Sequence, residues 1–414
     1  MRFIHTADWH LGQTLLGRSR LDEQRAALDW LHDTCLERAA DGLIVAGDVF
    51  DVASPAEDAR KLYYDFLARL GRSPLRWVVV VAGNHDSPRM LSNVRSFARH
   101  FGISIICRPG DDCRDDLVPI AGPSGEVEGV VAAVPFLHEG FVRRSVAGQS
   151  HAEKEAALAE GIHAHFERID RFCESAYPGL ARVATGHLYA TGSQARPGQD
   201  NIYVGDVRNI DAGRLPTGLD YVALGHIHRP QSLAGCPHVR YSGSLIPLDF
   251  AECADDKGVW CVELDGAGSG ARAEWVASPV TRRLKQLSGS GDALAAALEA
   301  FGERHADDRL RPWVEVQLDR EYADQKARAG LRQLAERVGV EILKFTRARA
   351  GGLERAPNAE GEALERLDEL SVEEVFARRL VASELTPPTQ SRVTELFGTA
   401  LAAARAGQPA EAYP

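Results

Sequence analysis

Short apolar runs recur along the chain in a fixed rhythm, and that rhythm limits the fold more than any other feature. Residues 2–6 (RFIHT), 43–46 (LIVA) and 77–82 (WVVVVA) are strand-like, and the third is apolar almost throughout. An uninterrupted apolar strand is one covered on both faces. Helical patterns separate the runs: Leu21, Leu28, Leu31 and Leu36 recur among charges over 21–38, and Leu62, Phe66, Leu67 and Leu70 over 56–70. Strand, helix, strand, helix, strand predicts parallel pairing through right-handed crossovers. Shorter runs follow at 103–106, 130–134, 183–185, 221–224, 239–241 and 259–264, the last few joined by turns. They read as an added, more antiparallel sheet. The expected class is α/β, a two-sheet sandwich with flanking helices.

The strands end in polar residues of one kind. D-W-H follows the first run, supplying Asp8 and His10, and G-D-V-F-D follows the second, supplying Asp48 and Asp51. G-N-H-D follows the third, with Asn84, His85 and Asp86; G-H follows VAT, with His187; G-H-I-H follows YVAL, with His226 and His228. In a doubly wound sheet ligands bind at the carboxyl ends of the strands. Glycine before most of these residues allows a tight exit, and Gly225 is expected to turn the chain ahead of its two imidazoles. Taken singly, Asp8, Asp48 and Asn84 are also ordinary helix caps, and His187 an ordinary core histidine. Five strand ends carrying hard donors in succession point instead to one site.

Two aspartates, an amide oxygen and four imidazoles, with no thiolate, suit Mn²⁺, Fe²⁺ or Zn²⁺. Seven donors exceed one tetrahedral ion but fit two ions sharing a carboxylate. Such a pair polarises a phosphoryl group and generates a hydroxide between its members. A histidine left over beside the ions can protonate the leaving oxygen. Asp86 reads as a turn residue, and His5, His32, His100, His138 and His238 as structural or surface groups.

Absences narrow the function further. The 414 residues allow two or three domains. A net charge of −11 argues against coating nucleic acid by bulk electrostatics. It leaves room for an enzyme that holds a phosphate backbone through ions and a local arginine patch. Seven scattered cysteines without C-x-x-C imply reduced thiols in a cytoplasm and no zinc ribbon. No apolar stretch approaches the roughly 18 residues of a membrane span, and the N-terminus lacks a leader pattern. The expectation is a cytoplasmic, nucleoid-associated protein with no membrane contact. P-loop, H-E-x-x-H and Rossmann fingerprints are missing, so any ATP must be bound by another chain.

D-x-H, G-D-x-x-D, G-N-H-D, G-H and G-H-x-H, in this order, resemble the calcineurin-like metallophosphoesterases. The wider strings HTADWHLG, IVAGDVFD, AGNHDS, ATGHL, YVALGHIHRPQ and VRYSGSLIPLDF are similar to the bacterial SbcD family of nuclease subunits, and the similarity continues into LSVEEVFARRL at 370–380. The resemblance implies one Mn²⁺ on Asp8, His10, Asp48 and His228, and a second on Asp48, Asn84, His187 and His226, with Mg²⁺ or other divalent ions as substitutes. It implies His85 as the catalytic histidine and Asp51 as the residue orienting it. It also implies an exonuclease and endonuclease acting on double-stranded DNA ends and hairpins in repair, recombination and replication. The implied assembly is a homodimer within a heterotetramer, with an SbcC-type ATPase bearing coiled-coil arms. A phosphomonoesterase or cyclic-nucleotide phosphodiesterase with the same ions, or a non-catalytic adaptor, are the competing readings.

The nuclease domain is expected over residues 1–278. Over 279–347 a strand near 282–287, a helix at 291–303, a strand at 313–318, a helix at 323–337 and a strand at 340–345 form a small α+β capping domain. Residues 348–362 read as a linker. A helical pair at 363–405 follows, opened by a Ser371/Glu374 capping box and carrying Phe376 and Phe397 on its apolar stripes. Detached from the core, the pair is expected to bind the ATPase. Residues 406–414 are expected to be a disordered tail.

Overall fold

Val78 to Val81 are all buried, and alternate residues serve different layers: Val78 and Val80 pack toward helices, Val79 and Val81 toward a second sheet. The computed structural model containing them describes residues 1–347, except 111, 145, 147, 191–192, 195–209 and 319–324, and scattered positions between 376 and 401. The strands in chain order are β1 (Arg2–Thr6), a hairpin of β2 (Thr14–Leu15) and β3 (Arg18–Ser19), β4 (Gly42–Ala46), β5 (Trp77–Val81) and β6 (Ile103–Ile106). Then come β7 (Leu117–Ala121), β8 (Val127–Ala132), β9 (Ala181–His187), β10 (Tyr221–Gly225), β11 (Gln231–Leu233) and β12 (Cys236–Tyr241). β13 (Gly258–Leu264) and β14 (Ala271–Ala277) complete the sandwich.

One sheet runs β14-β13-β1-β4-β5-β6 and the other β11-β12-β10-β9-β8-β7. β1, β4, β5 and β6 are parallel, as are β8, β9, β10 and β12. Two features depart from the sequence reading. Residues 103–106 and 259–264 extend the first sheet rather than the second, β6 beside β5 and β13 antiparallel to β1. The second sheet is parallel at its centre and antiparallel only at its edges, β7 and β11. Apolar periodicity marks a strand but carries no label for the sheet it joins.

Phe3, Ile44, Val79, Val131, Val183, Tyr221 and Val262 fill the space between the sheets. Helices α1 (Leu21–Glu37) and α2 (Glu57–Leu70) cover the outer face of the first sheet. The long helix His151–Ala176 covers the second with Ile162, Phe166 and Ile169. Its start is written in the sequence: Glu153 N–H donates to Ser150 Oγ at 3.3 Å, and Ser150 N–H to Glu153 Oε2 at 2.8 Å.

Strands β15 (Leu284–Gly289), β16 (Trp313–Leu318) and β17 (Glu341–Arg347) form a small parallel sheet, with helices Gly291–Arg304 and Gln325–Arg337 as crossovers. Its junction with the sandwich is built from charge. Glu23 Oε1 accepts from Nε of both Arg20 and Arg282 at 2.8 Å, and both guanidinium groups lie over the Trp313 ring. Leu15, Phe250, Leu284 and Trp313 pack beside them.

The expected linker and tail lie outside the described residues. In the C-terminal unit, residues 351–414, the rings of Phe376 and Phe397 stack 3.7 Å apart, 2° from coplanar. No helix among the described residues is long and apolar enough to cross a membrane.

Candidate metal centre

β1, β4 and β5 are parallel neighbours, so the loops leaving them emerge at one edge and pair there. Asp8 N–H donates to Gly47 O at 3.0 Å and His10 N–H to Asp48 O at 3.1 Å. Asp86 ties in the third loop: its carboxylate accepts from the N–H groups of Gly83, Phe50 and Val49 at 2.8, 2.9 and 3.1 Å. It is a fastener between loops. Across the sandwich Asp8 accepts the His226 N–H at 2.9 Å.

The backbone is strained where the polar residues sit. Asp8, His10, Asp48 and His226 all have positive φ, at 53°, 44°, 51° and 100°. Non-glycine residues in this region are uncommon, and such strain collects at functional sites. Gly47, at 94°, needs its missing side chain for the turn. Gly225 does not: it is the last residue of β10, and His226 makes the turn expected of it. Glycine is required at 225 because a Cβ there would run into the Ala46 carbonyl and the His187 ring.

The donors converge as follows. Asp48 Oδ2 lies 3.3 Å from His187 Nε2 and 3.6 Å from His10 Nε2, so one carboxylate stands between two imidazoles. Asp48 Oδ1 accepts the His85 N–H at 2.9 Å. His187 Nδ1 donates to Ala46 O at 2.9 Å, which turns Nε2 toward Asn84 Oδ1, 2.9 Å away, and Asp48 Oδ2. Asn84, Asp48 and His187 thus bring one potential ligand atom each to the same place. Asp8, His10 and His228 offer ligand atoms within 4.8 Å of one another, as do Asp8, Asp48 and His187. The His226 ring lies 5.6 Å from that of His187, and the His228 ring 5.0 Å from that of His10.

Asp51 and His85 are beside these groups in an arrangement the sequence did not foretell. His85 Nδ1 lies 2.7 Å from the main-chain oxygen of Asp51, so the peptide carbonyl orients the imidazole. The Asp51 carboxylate, expected in that role, lies 3.3 Å from His10 Nδ1 instead. His85 is exposed, whereas Asp8, His10, Asp48, His187 and His226 are buried.

Electrostatics fit a cation. Burial on its own lowers the His187 pKa, yet Asp48, aided by Asp8, outweighs it and lifts the value to about 9. Burial alone raises that of Asp48, but His187, His10 and His85 hold it far below the usual carboxylate range. Asp8 is raised, by burial above all. A field that draws a proton onto a buried imidazole draws a divalent ion to the same place. His10 is buried, and neither of its ring nitrogens is hydrogen-bonded among the described residues. An unsatisfied buried imidazole between carboxylates is what a metal ligand looks like.

The motifs held no sign of the groups behind His228. Its Nδ1 lies 2.8 Å from Glu252 Oε1, and Glu252 is paired with Lys257 at 2.7 Å. Burial would raise Glu252, but His228 and Lys257 prevail and hold it well below the carboxylate range.

Residues 1–230 match the model of the calcineurin-like phosphoesterase family, and residues 280–384 that of the Type 5 capsule protein repressor C-terminal domain. The chain is 35% identical over 403 residues to the SbcD subunit of the nuclease SbcCD from Escherichia coli K12, covering 97% of this chain and 98% of that one. Its counterpart from Rhodobacter capsulatus is 34% identical over 75% of this chain and 78% of its own. The Bacillus subtilis counterpart is 35% identical over 66% and 68%.

Proposed function

The chain belongs to the SbcD family of calcineurin-like phosphoesterases, and from that premise we propose that it is the nuclease subunit of a two-component complex, hydrolysing DNA phosphodiesters with two divalent ions. Manganese is the ion we assign: it is among those that mixed imidazole, carboxylate and amide-oxygen donors suit, and the one the family resemblance implies. One ion falls to Asp8, His10, Asp48 and His228, the other to Asp48, Asn84, His187 and His226. Bound there, the ions would polarise the phosphoryl group and lower the pKa of water between them.

The chain's own residues complete the chemistry. Asp48 supplies the shared carboxylate. His85, its Nδ1–H held by the Asp51 carbonyl, turns Nε2 outward and, as the doubly protonated imidazolium, would pass the Nε2 proton to the leaving oxygen. The placement of Asp48 between His10 and His187 carries this reading. The partner we assign is the SbcC-type ATPase that the relatives' name implies, with coiled-coil arms and a homodimer of this chain at the centre of the heterotetramer. The substrates we assign are double-stranded ends and hairpins.

Asp48→Ala tests the centre. Nuclease activity on linear duplex DNA with Mn²⁺ should vanish while the circular dichroism spectrum stays native. Two ions still bound at wild-type affinity would remove Asp48 from its bridging role.

A further inference from the structure

The carboxylate of Glu252 is a hub for four donors although it lies outside every motif. The residue is 2% exposed. Its Oε1 lies 2.8 Å from His228 Nδ1. Its Oε2 accepts from Lys257 Nζ at 2.7 Å, from the Leu248 N–H at 3.1 Å and from Ser244 Oγ at 3.4 Å. Lys257 is itself pinned, donating also to Ser244 Oγ at 2.8 Å and to the His228 carbonyl at 2.9 Å. The short turn bearing Glu252 is capped by Asp249, whose Oδ1 accepts the Glu252 N–H at 3.0 Å.

A carboxylate only accepts hydrogen bonds. The proton of the His228 imidazole must therefore sit on Nδ1, which leaves the Nε2 lone pair directed away from Glu252. Buried ion pairs contribute little net stability, so a buried Glu–Lys pair anchored at five points calls for another reason. We propose that Glu252, locked by Lys257, is a positioning residue that fixes the tautomer and direction of His228 so that its Nε2 serves as a metal ligand. The inference rests on the reading of His228 as a ligand. Carboxylates behind metal-bound imidazoles typically account for 10–100-fold in metal affinity.

Glu252→Gln has a defined effect. An amide offers one acceptor where the carboxylate offered two, and its NH₂ must face either Lys257 or His228. Facing His228, it forces the ring proton onto Nε2 and removes the ligand; facing Lys257, it opposes an ammonium and loosens the hub.

The experiment is calorimetric titration of the full chain with Mn²⁺, together with the Mn²⁺ dependence of cleavage. In Glu252→Gln one of the two binding steps should weaken by about 10–100-fold, and the Mn²⁺ needed for half-maximal rate should rise in parallel. The rate at saturating Mn²⁺ should fall far less. His228→Ala is the control that separates the two claims. Should it keep both binding steps, His228 is no ligand and the reading of the centre is at fault. Loss of a step in His228→Ala, with wild-type binding in Glu252→Gln, overturns the positioning role alone. If Glu252→Gln does not fold, Glu252→Asp decides. It keeps a carboxylate for Lys257 but withdraws it from His228, so the same step should weaken, and undiminished affinity overturns the proposal.

Discussion

His85 and His187 show how far apart two histidines of one centre stand in chemistry. His187 is buried, held at Nδ1, and lifted to about 9 by Asp48. His85 is exposed, and its ring is held through the Asp51 carbonyl. His85→Ala is therefore expected to keep both ions and lose turnover by about 10²–10⁴-fold, the range for a general acid. Metal analysis beside steady-state rates checks the separation, and loss of an ion would place His85 among the ligands. His5 has a different task. It sits between the sheets, its ring bonded to Tyr221 Oη at 2.9 Å and facing Leu224 O at 3.2 Å, and burial lowers its pKa to about 3. The unfolded chain takes up the proton below the ordinary histidine value near 6.5, whereas the folded chain refuses it until about 3. His5 thus leaves stability intact above pH 6.5 and drains it as pH falls, by up to about 1.4 kcal/mol per unit. His5→Gln should show a shallower loss between pH 7 and 5 in urea unfolding, and parallel acid limbs would refute it. The donor types were legible because each follows a strand in a short motif. The carboxylate behind His228 was not, because Glu252 lies 24 residues downstream and only tertiary packing brings it in.

At the level of elements, the centre depends on how closely two strands approach. β10 passes the end of β4 so tightly that Gly225 has no room for a Cβ beside the Ala46 carbonyl. Gly225→Ala must push the strands apart and carry His226 and His187 with them. A destabilisation of about 1–3 kcal/mol is expected, as for other overpacked sites, with weaker Mn²⁺ binding. Calorimetry with and without the ion measures both, and unchanged melting in the variant would disprove the contact. The strands themselves were readable from apolar runs, and β4 and β5 agree closely with the sequence reading. Sheet membership was not readable. β13 returns from far along the chain to lie against β1, and local pattern contains nothing about such pairings. Positive φ at His226 escaped the reading for a related reason: the glycine before it looked like the turn, but the strain falls on the histidine.

Across the whole molecule, the C-terminal unit and the junction obey different physics. Phe376 and Phe397 stack face to face, so changing both to Asp sets two carboxylates where two rings met. Mn²⁺-dependent cleavage of duplex DNA by the isolated chain should persist, because every proposed ligand precedes residue 229. Stimulation by the ATPase should collapse. A pull-down in which the double variant captures the ATPase at full strength would rule out this docking role.

The junction at Trp313 has a consequence for modularity. Glu23 lies on α1 and is shared by Arg20 and by Arg282, which precedes β15. Phe250 lies against Leu284 and Trp313 two residues before Glu252. Cutting the chain after residue 278 would strip Glu23 of one of its cations and bare Leu15 and Phe250 to water. The topological boundary between sandwich and small sheet is therefore not a seam along which the protein comes apart. A phosphoesterase module excised there would carry its ligands intact on a frayed foundation.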